Sequence, residues 1–150
     1  MPPHLRRVPY VYARHPGATA PGDVAGGANC QVYAYAVLAH FGRLVPPLRS
    51  SELWADRAAT EVAEVAGPLD LVLFDGGRRA DVEEGYAAHV GIHLAPDRVL
   101  HLCAEVGVPA VWTYDEFAAR PRYARLLGIK RVRPAPTPAS RPAPWAASRP

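Results

Sequence analysis

The stretch that decides the fold is GGANCQVYAYAVLAHFG, residues 26–42. Asn29 is a favourable N-cap, and Gly42 suits the position that follows the end of a helix. Between them apolar residues recur at helical spacing, which predicts an amphipathic helix with Cys30 in its first turn. The residues of the predicted apolar face are Val32, Tyr35, Ala36, Leu38, Ala39 and Phe41.

The position of Cys30 allows two interpretations. The helix dipole and the unpaired N–H groups of a first turn favour a thiolate and lower the pKa of a cysteine there. The same N–H groups can receive the oxyanion of an acyl-transfer intermediate. Unpaired cysteines are also among the most buried residues, and such cysteines are usually inert. Position alone leaves both a nucleophile and a small apolar residue open.

The chain as a whole has the composition of one globular domain. It contains 150 residues, of which 49% are hydrophobic and 21% charged, enough to bury a core. We expect a folded domain over residues 5–133 and disorder in the Pro/Ala-rich segment 134–150. No apolar stretch is long enough to cross a bilayer and no signal peptide is seen, so a cytoplasmic protein without a membrane partner is expected.

Charge and cysteine content argue against several other classes. The net charge is +3, but the basic residues are spread along the chain without interleaved aromatics, so no nucleic-acid partner is expected. Two cysteines give no disulfide framework and leave at least one thiol for chemistry. No paired-cysteine or helical His-x-x-x-His pattern is present, so we expect neither a metal nor an organic cofactor. The oligomeric state stays open.

Beyond residue 42 the pattern changes from helices to strands. A second helix is predicted from Ser50 or Ser51 to about Ala66, and a short one from Thr113 or Asp115. Helices followed by a run of strands indicate an α+β class with a mostly antiparallel sheet. The predicted strands are 70–74, 88–95, 98–106 and 123–133.

Two histidines meet if the central strands form one particular hairpin. A loop of three residues places Leu94 opposite Arg98 and makes His89 and His101 diagonal neighbours on one face, roughly 7 Å apart at Cβ. A loop of two residues would place them on opposite faces. His93 lies roughly 13 Å from His89 along the strand, too far to share a metal ion, and is expected to be a half-exposed strand residue.

Tyr10 and Cys103 are weaker candidates. Tyr10 could supply a phenol near the site, although a strand tyrosine that packs its ring is the commoner case. Cys103 falls on the proposed face with His101 and is expected to be a small filler, open to oxidation if it lies near Cys30.

The order and spacing of four segments resemble a known family. The segments are NCQVYAYAVLAHFG (29–42), GPLDLVLF (67–74), HVGIHLAPDRVLH (89–101) and LLGIKRV (126–132). Over most of residues 8–133 they resemble the NlpC-type cysteine peptidases, a papain-like family that hydrolyses peptides of bacterial cell walls. The spacing of eleven residues between His89 and His101 is the usual one in that family.

The resemblance implies a papain-like NlpC-type fold, with the nucleophile helix packed on a mostly antiparallel sheet, and a Cys-His-His triad. Cys30 would be the nucleophile, His89 the general base and His101 the residue that orients His89. Tyr10 matches the substrate-side tyrosine of the family. Asn29 and Gln31, which flank the nucleophile, would contribute to substrate binding.

The sequence departs from the family pattern beside the nucleophile. Asn29 replaces an Asp and Gln31-Val32 replace Ser-Gly, which would weaken recognition of a free amino terminus. Leu69 replaces a turn glycine. The predicted function is a cysteine hydrolase, a peptidase or amidase that acts through a thioester on a small or cell-wall-type peptide. An acyltransferase or biosynthetic tailoring enzyme with the same thioester, and a non-catalytic binding module, are the alternatives.

Overall fold

The structure is a computed structural model that describes residues 1–134, so most of the predicted disordered segment 134–150 lies outside the described residues. The strands are β1 (Thr60–Ala63), β2 (Leu71–Asp75), β3 (His89–His93), β4 (Val99–His101), β5 (Ala110–Trp112) and β6 (Arg125–Val132). The helices are α1 (Cys30–His40), α2 (Ser50–Ala55) and α3 (Tyr114–Ala118), with 3-10 turns at Pro3–Leu5 and Pro121–Tyr123. Within the described part of the chain, no helix is long and apolar enough to cross a membrane.

The described strands form one antiparallel sheet in the order β1-β6-β2-β3-β4-β5. This arrangement confirms the predicted α+β class with its mostly antiparallel sheet. Strands β1 and β5 were not predicted, since each is short and contributes to an edge of the sheet. The strands predicted at 70–74 and 123–133 correspond to β2 and β6.

Helix α1 begins and ends where the sequence predicts it. The side-chain oxygen of Asn29 accepts hydrogen bonds from the N–H groups of Gln31 and Val32, at 3.1 and 2.9 Å, and so satisfies two free donors of the first turn. Gly42 has a φ of +79°, which ends the helix in the left-handed conformation. Cys30 is therefore the first residue of the helix.

Helix α1 is buried on nearly all sides rather than on one face. Every residue from Gln31 to Leu38 is buried. The sheet covers one side, and other segments cover the rest: the Tyr33 hydroxyl donates to a carbonyl of the first 3-10 turn, and the Tyr35 hydroxyl donates to the carbonyl of Leu48. The amphipathic pattern predicted for this helix is therefore wrong, because segments distant in sequence complete its enclosure.

The second predicted helix is much shorter than expected. Helix α2 ends at Ala55, so the helix predicted to about Ala66 is wrong, and its N-cap is Arg49 rather than a serine. Asp56 stops the helix because its carboxylate accepts hydrogen bonds from the backbone N–H groups of residues 58–60. The next residues pair with β6 as strand β1.

Each face of the sheet is covered by a different layer. Helix α1 packs on one face, against the aliphatic side chains of Leu71, Leu73, Val90, Ile92 and Leu100. On the opposite face, α3 and the 3-10 turn Pro121–Tyr123 cover a second cluster, made of Val72, Phe74, Val99, Cys103, Trp112, Phe117 and Tyr123. Because both faces are covered, every residue of β3 and all of β2 except Asp75 are buried.

Strand β6 occupies an interior position in the sheet although it is the last in sequence. It pairs with β1 on one side and with β2 on the other. Its Lys130 is fully buried and donates hydrogen bonds to the carbonyls of Trp54 and Asp56. Strand β6 therefore ties the end of α2 to the sheet.

The β3–β4 hairpin has the predicted three-residue loop. The N–H of Leu94 donates to the carbonyl of Arg98 at 2.8 Å, and the pairs further along keep this register. Both strands are shorter than predicted, and β4 ends early because the chain turns out of the sheet after His101. The His89 end of β3 consequently extends beyond the end of β4.

Gly91 allows the two strands of this hairpin to approach closely. A Cβ added there would lie 2.5 Å from Cγ1 of Val99 and 3.2 Å from the carbonyl oxygen of Leu100. We expect Gly91→Ala to lower the free energy of unfolding by about 2 kcal/mol, as overpacking of a core does. Urea denaturation measures the loss. Gly26→Ala is the matched control, since its added Cβ meets only the flexible end of Arg14; an equal loss in both variants would contradict this packing.

Candidate active site

A cavity of about 530 Å³ lies where the tip of α1 meets the free end of β3. It is lined by Cys30 and His89 and by the three predicted substrate-binding residues Tyr10, Asn29 and Gln31. His101 is fully buried behind His89. Other residues of the wall include Arg49, Glu52, Glu83, Cys103, Arg122 and Tyr123. The structure therefore gathers the predicted site residues in one place.

The free end of β3 lets groups from the two faces of the sheet meet. Helix α1 packs on one face, and the rings of His89 and His101 contact the aromatic cluster on the other. Because β4 stops at His101, the backbone N–H of Val90 is free to point at the Cys30 sulfur. Val90 directly follows His89, so the thiol and the imidazole reach the same cavity from opposite sides.

The thiol of Cys30 is only partly exposed. Burial raises its pKa above the ordinary value, while the N–H groups of Val90, Gln31 and Cys30 itself, and then the charge of Arg122, act to lower it. Loss of water around the sulfur outweighs these groups, because a charged sulfur is poorly stabilised in an apolar site. The lowered pKa expected from the helix position is thus not found in the folded protein.

His89 and His101 form the predicted contact. Nε2 of His89 and Nδ1 of His101 are 2.9 Å apart, and the two rings are perpendicular. Aromatic rings enclose the pair: Tyr123 lies 4.7 Å from His89, and Trp112 and Phe117 lie 4.2 and 4.7 Å from His101, measured between ring centroids. The contact fixes the orientation of the His89 ring relative to the cavity.

Both imidazoles are neutral at physiological pH. Burial, followed by repulsion from Arg122 and from His101 whenever that ring is protonated, holds the pKa of His89 well below its ordinary value of 6.5. Burial, with Arg120, lowers the pKa of His101 to about 4, although Glu105 and Glu116 oppose this. With the thiol also protonated, the resting site holds a neutral thiol beside a neutral imidazole.

Two of the predicted substrate-binding side chains have structural partners. The oxygen of Asn29 caps α1, and Nε2 of Gln31 donates to the carbonyl of Leu48 at 3.2 Å. Tyr10 is half-buried in the cavity wall, and burial, followed by the nearby Cys30, raises the pKa of its phenol. Substrate binding by these three residues remains a prediction from the sequence.

The structure contradicts the expectation for His93 and agrees with the expectation for Cys103. His93 is buried rather than half-exposed, because its Nδ1 lies 2.7 Å from the hydroxyl of Tyr114 on α3, which covers this face. Cys103 is a buried member of the aromatic cluster, in agreement with the small filler that the sequence predicts, and it also lines the cavity.

Sequence reasoning missed the contribution of the 3-10 turn Pro121–Tyr123. Tyr123 packs against the His89 ring, and Arg122 places a positive charge in the cavity wall. Tyr123 is the first residue of the last strand predicted from the sequence, and Arg122 directly precedes it. A proline followed by arginine and tyrosine carries no local signal for a site, because the turn reaches the cavity only through the tertiary fold.

Comparison with solved structures identifies the fold. An NlpC/p60 family protein from Bacillus cereus is similar with a TM-score of 0.56 and 16% sequence identity, over 85% of this chain. The NlpC/p60 domain of the peptidoglycan hydrolase SagA is similar with a TM-score of 0.50 and 20% identity, over 76% of this chain and 84% of that domain. The chain has the NlpC/p60 fold. The resemblance noted in the sequence is confirmed at this level.

This chain matches only part of the first of these two proteins. The chain spans 36% of the length of the Bacillus cereus protein. No protein-family model and no curated protein matches the sequence.

Proposed function

We propose that this NlpC/p60-fold domain is a cysteine hydrolase that cleaves an amide bond in a small or cell-wall-type peptide. The observation that carries the proposal is that Cys30 and His89 line the same cavity. His101 lies behind His89, within hydrogen-bond distance of its Nε2. SagA, which has the same fold, is a peptidoglycan hydrolase, and this supports a peptide substrate.

The first step transfers the thiol proton to His89 as the sulfur attacks. Nε2 of His89 is bonded to His101, which leaves Nδ1 as the nitrogen that can act on the thiol. For Nδ1 to be a base, Nε2 must carry the hydrogen and donate it to Nδ1 of His101. His101 thereby selects the reactive tautomer of His89, the part that a third triad residue plays.

The carbonyl oxygen becomes an oxyanion when the sulfur–carbon bond forms. The N–H groups of Gln31 and Val32 are occupied by the Asn29 side chain. The N–H groups of Cys30 and Val90, which face the sulfur, and the hydroxyl of Tyr10 in the cavity wall are therefore the donors assigned to the oxyanion. Because the pKa of Tyr10 is raised by burial, its hydroxyl keeps its proton and can donate.

The remaining steps return the site to its starting state. Protonated His89 gives its proton to the leaving amine as the carbon–nitrogen bond breaks, which produces a thioester on Cys30. Neutral His89 then takes a proton from water as the water oxygen attacks the thioester carbon. The carbon–sulfur bond breaks, His89 returns that proton to the sulfur, and the acid leaves while the thiol is re-formed.

Trapping the acyl-enzyme tests this proposal. p-Nitrophenyl acetate should give a burst of p-nitrophenolate that matches the amount of protein, and an acid quench followed by peptide mapping should locate one acetyl group on Cys30. Cys103→Ser is the matched control and should retain the burst. A burst that depends on Cys103, or acetylation of Cys30 only after denaturation, would contradict the proposal.

The same trapped species separates hydrolysis from acyl transfer. Addition of glycinamide to the acetylated protein should leave free acetate as the main product. An acetylglycinamide product would instead assign the domain to the acyltransferases.

A further inference from the structure

One part of the cavity wall is built from two segments that are distant in sequence. Residues 49–52, at the start of α2, supply one half, and residues 83 and 86–88, which lead into β3, supply the other. Cys30 lies in α1 and His89 in β3, so this wall belongs to neither element that carries a reacting group. Its distance from the Cys30 sulfur is therefore set by contacts other than those that hold the thiol and the imidazole.

Trp54 joins the two segments of this wall. It belongs to α2 but is not among the residues that line the cavity. Its Nε1 donates a hydrogen bond to Glu84 at 3.0 Å, and a Cβ added to Gly85 would lie only 2.8 Å from its own Cβ. Gly85 is buried and has a φ of +85°, a conformation that favours glycine. Trp54 thus packs α2 directly against the segment that precedes His89.

Strand β6 holds Trp54 in place through both its ring and its backbone. A Cβ added to Gly128 would lie 2.5 Å from Cη2 of Trp54, and the three atoms nearest to it all belong to the indole ring. The ring therefore covers Gly128 at van der Waals distance. Two residues further along β6, the buried Lys130 donates a hydrogen bond to the carbonyl of Trp54 at 3.3 Å. The wall is in this way connected to the central sheet through one side chain.

We propose that Trp54 is a positioning residue that fixes the distance between this wall and Cys30, and so sets the size of the group that can approach the sulfur. A wall held by close contacts gives a cavity of constant width, which rejects larger groups because they must displace packed atoms. This inference rests on the proposed function, since it concerns the substrate range of the same site. Trp54 acts through α2 and the 83–88 segment and takes no part in the proton transfers.

Alkylation of Cys30 by two reagents of different size tests the inference without any turnover. Iodoacetamide and N-benzyl iodoacetamide both form a bond from the sulfur to a methylene carbon, with loss of iodide and release of the thiol proton to the buffer. Their rates at Cys30 are measured by peptide mapping. We expect Trp54→Ala to raise the ratio of the N-benzyl rate to the iodoacetamide rate by about tenfold, the scale on which a pocket distinguishes groups by size.

Gly128→Ala perturbs the same ring from the side of β6 and changes no residue of the wall. The added methyl group pushes the indole off the strand, so the ratio should rise by about threefold or more, the scale of coupling between residues in contact. In a protein that already carries Trp54→Ala, the methyl group enters space that the ring has left. Gly128→Ala should therefore have no further effect on the ratio in that background.

Two other variants separate this role from a general loss of stability. Trp54→Phe keeps an aromatic ring over Gly128 and loses only the donor to Glu84, so it should retain most of the selectivity of the parent. Val24→Ala removes buried methyl groups from a residue outside the cavity wall. It should lower the midpoint of thermal unfolding and leave the ratio of rates unchanged.

The outcomes distinguish this inference from the proposed function. An unchanged ratio in Gly128→Ala, an equal rise in Val24→Ala, or additive effects in the double variant would overturn the positioning role of Trp54. Each of these results would leave Cys30 as a reactive thiol. Absence of the acetylation burst in the parent protein would instead overturn the proposed function, because the alkylation ratio measures the wall and not the hydrolysis.

Discussion

Cys30→Ser is expected to reduce hydrolysis by roughly 10³-fold or more, the scale of losing a nucleophile. The substitution changes only sulfur to oxygen, so the packing at the tip of α1 is retained. The hydroxyl is a much weaker acid than the thiol, and a neutral His89 with a lowered pKa cannot remove its proton efficiently. Initial rates of p-nitrophenyl acetate hydrolysis and of amide cleavage in a synthetic peptide library measure the loss.

Cys103→Ser is the control for this variant, since Cys103 is the other cysteine that lines the cavity. Its turnover should stay within a few-fold of the parent. If both serine variants lost activity equally, the loss would reflect damage to the cavity, and the assignment of the nucleophile to Cys30 would fail.

The second large effect is expected for His89→Gln, with a fall in kcat of about 10²–10⁴-fold, the contribution of a general base. Glutamine keeps a polar side chain that can hydrogen-bond to His101 but cannot take up the thiol proton. His93→Gln is the matched control, because His93 is a buried histidine on the same face of the same strand. We expect His93→Gln to lower the free energy of unfolding, because the contact with Tyr114 is lost. Its kcat should be nearly unchanged.

Under the proposed function, the pH profile of the parent protein gives an independent test of His89 as the base. A lowered pKa keeps His89 unprotonated in more acidic solution, so the acid limb of kcat/KM should lie below pH 6.5. The limb should be absent from the residual activity of His89→Gln. An acid limb at or above pH 6.5 would assign the proton transfer to a group other than His89.

Local signals explain why much of the fold could be predicted. Asn29 and Gly42 mark the ends of α1 through their own backbone and side-chain chemistry. The register of the β3–β4 hairpin follows from the length of its loop, and the contact of His89 with His101 follows from that register. Each of these features depends on residues within a few positions of one another, or on a single turn.

The predictions from the sequence are wrong where contacts with segments distant in sequence determine the local structure. The stretch after Ala55 has no strong breaker, and only the side chain of Asp56 and pairing with β6 make it a turn and a strand rather than a helix. His93 is buried because α3 covers it. A local pattern does not show which element will cover a given strand.

The chemical properties of the site are the part that the sequence predicts least well. The position of Cys30 at a helix start predicts a lowered pKa, but the pKa depends on how much water the folded cavity admits, and burial raises it. Arg122 escaped notice for a similar reason, because its charge counts only once the turn that carries it lies against the cavity.

The interior position of β6 determines when, during synthesis, the candidate site can form. Until residue 132 has emerged from the ribosome, β1 has no neighbour and one edge of β2 stays open, so the sheet that holds His89 opposite Cys30 cannot close. We therefore expect the Cys30 thiol of a growing chain to lack its position opposite His89 until β6 has paired. Under the proposed function, a chain cut short before β6 would therefore lack activity, although it would contain Cys30, His89 and His101.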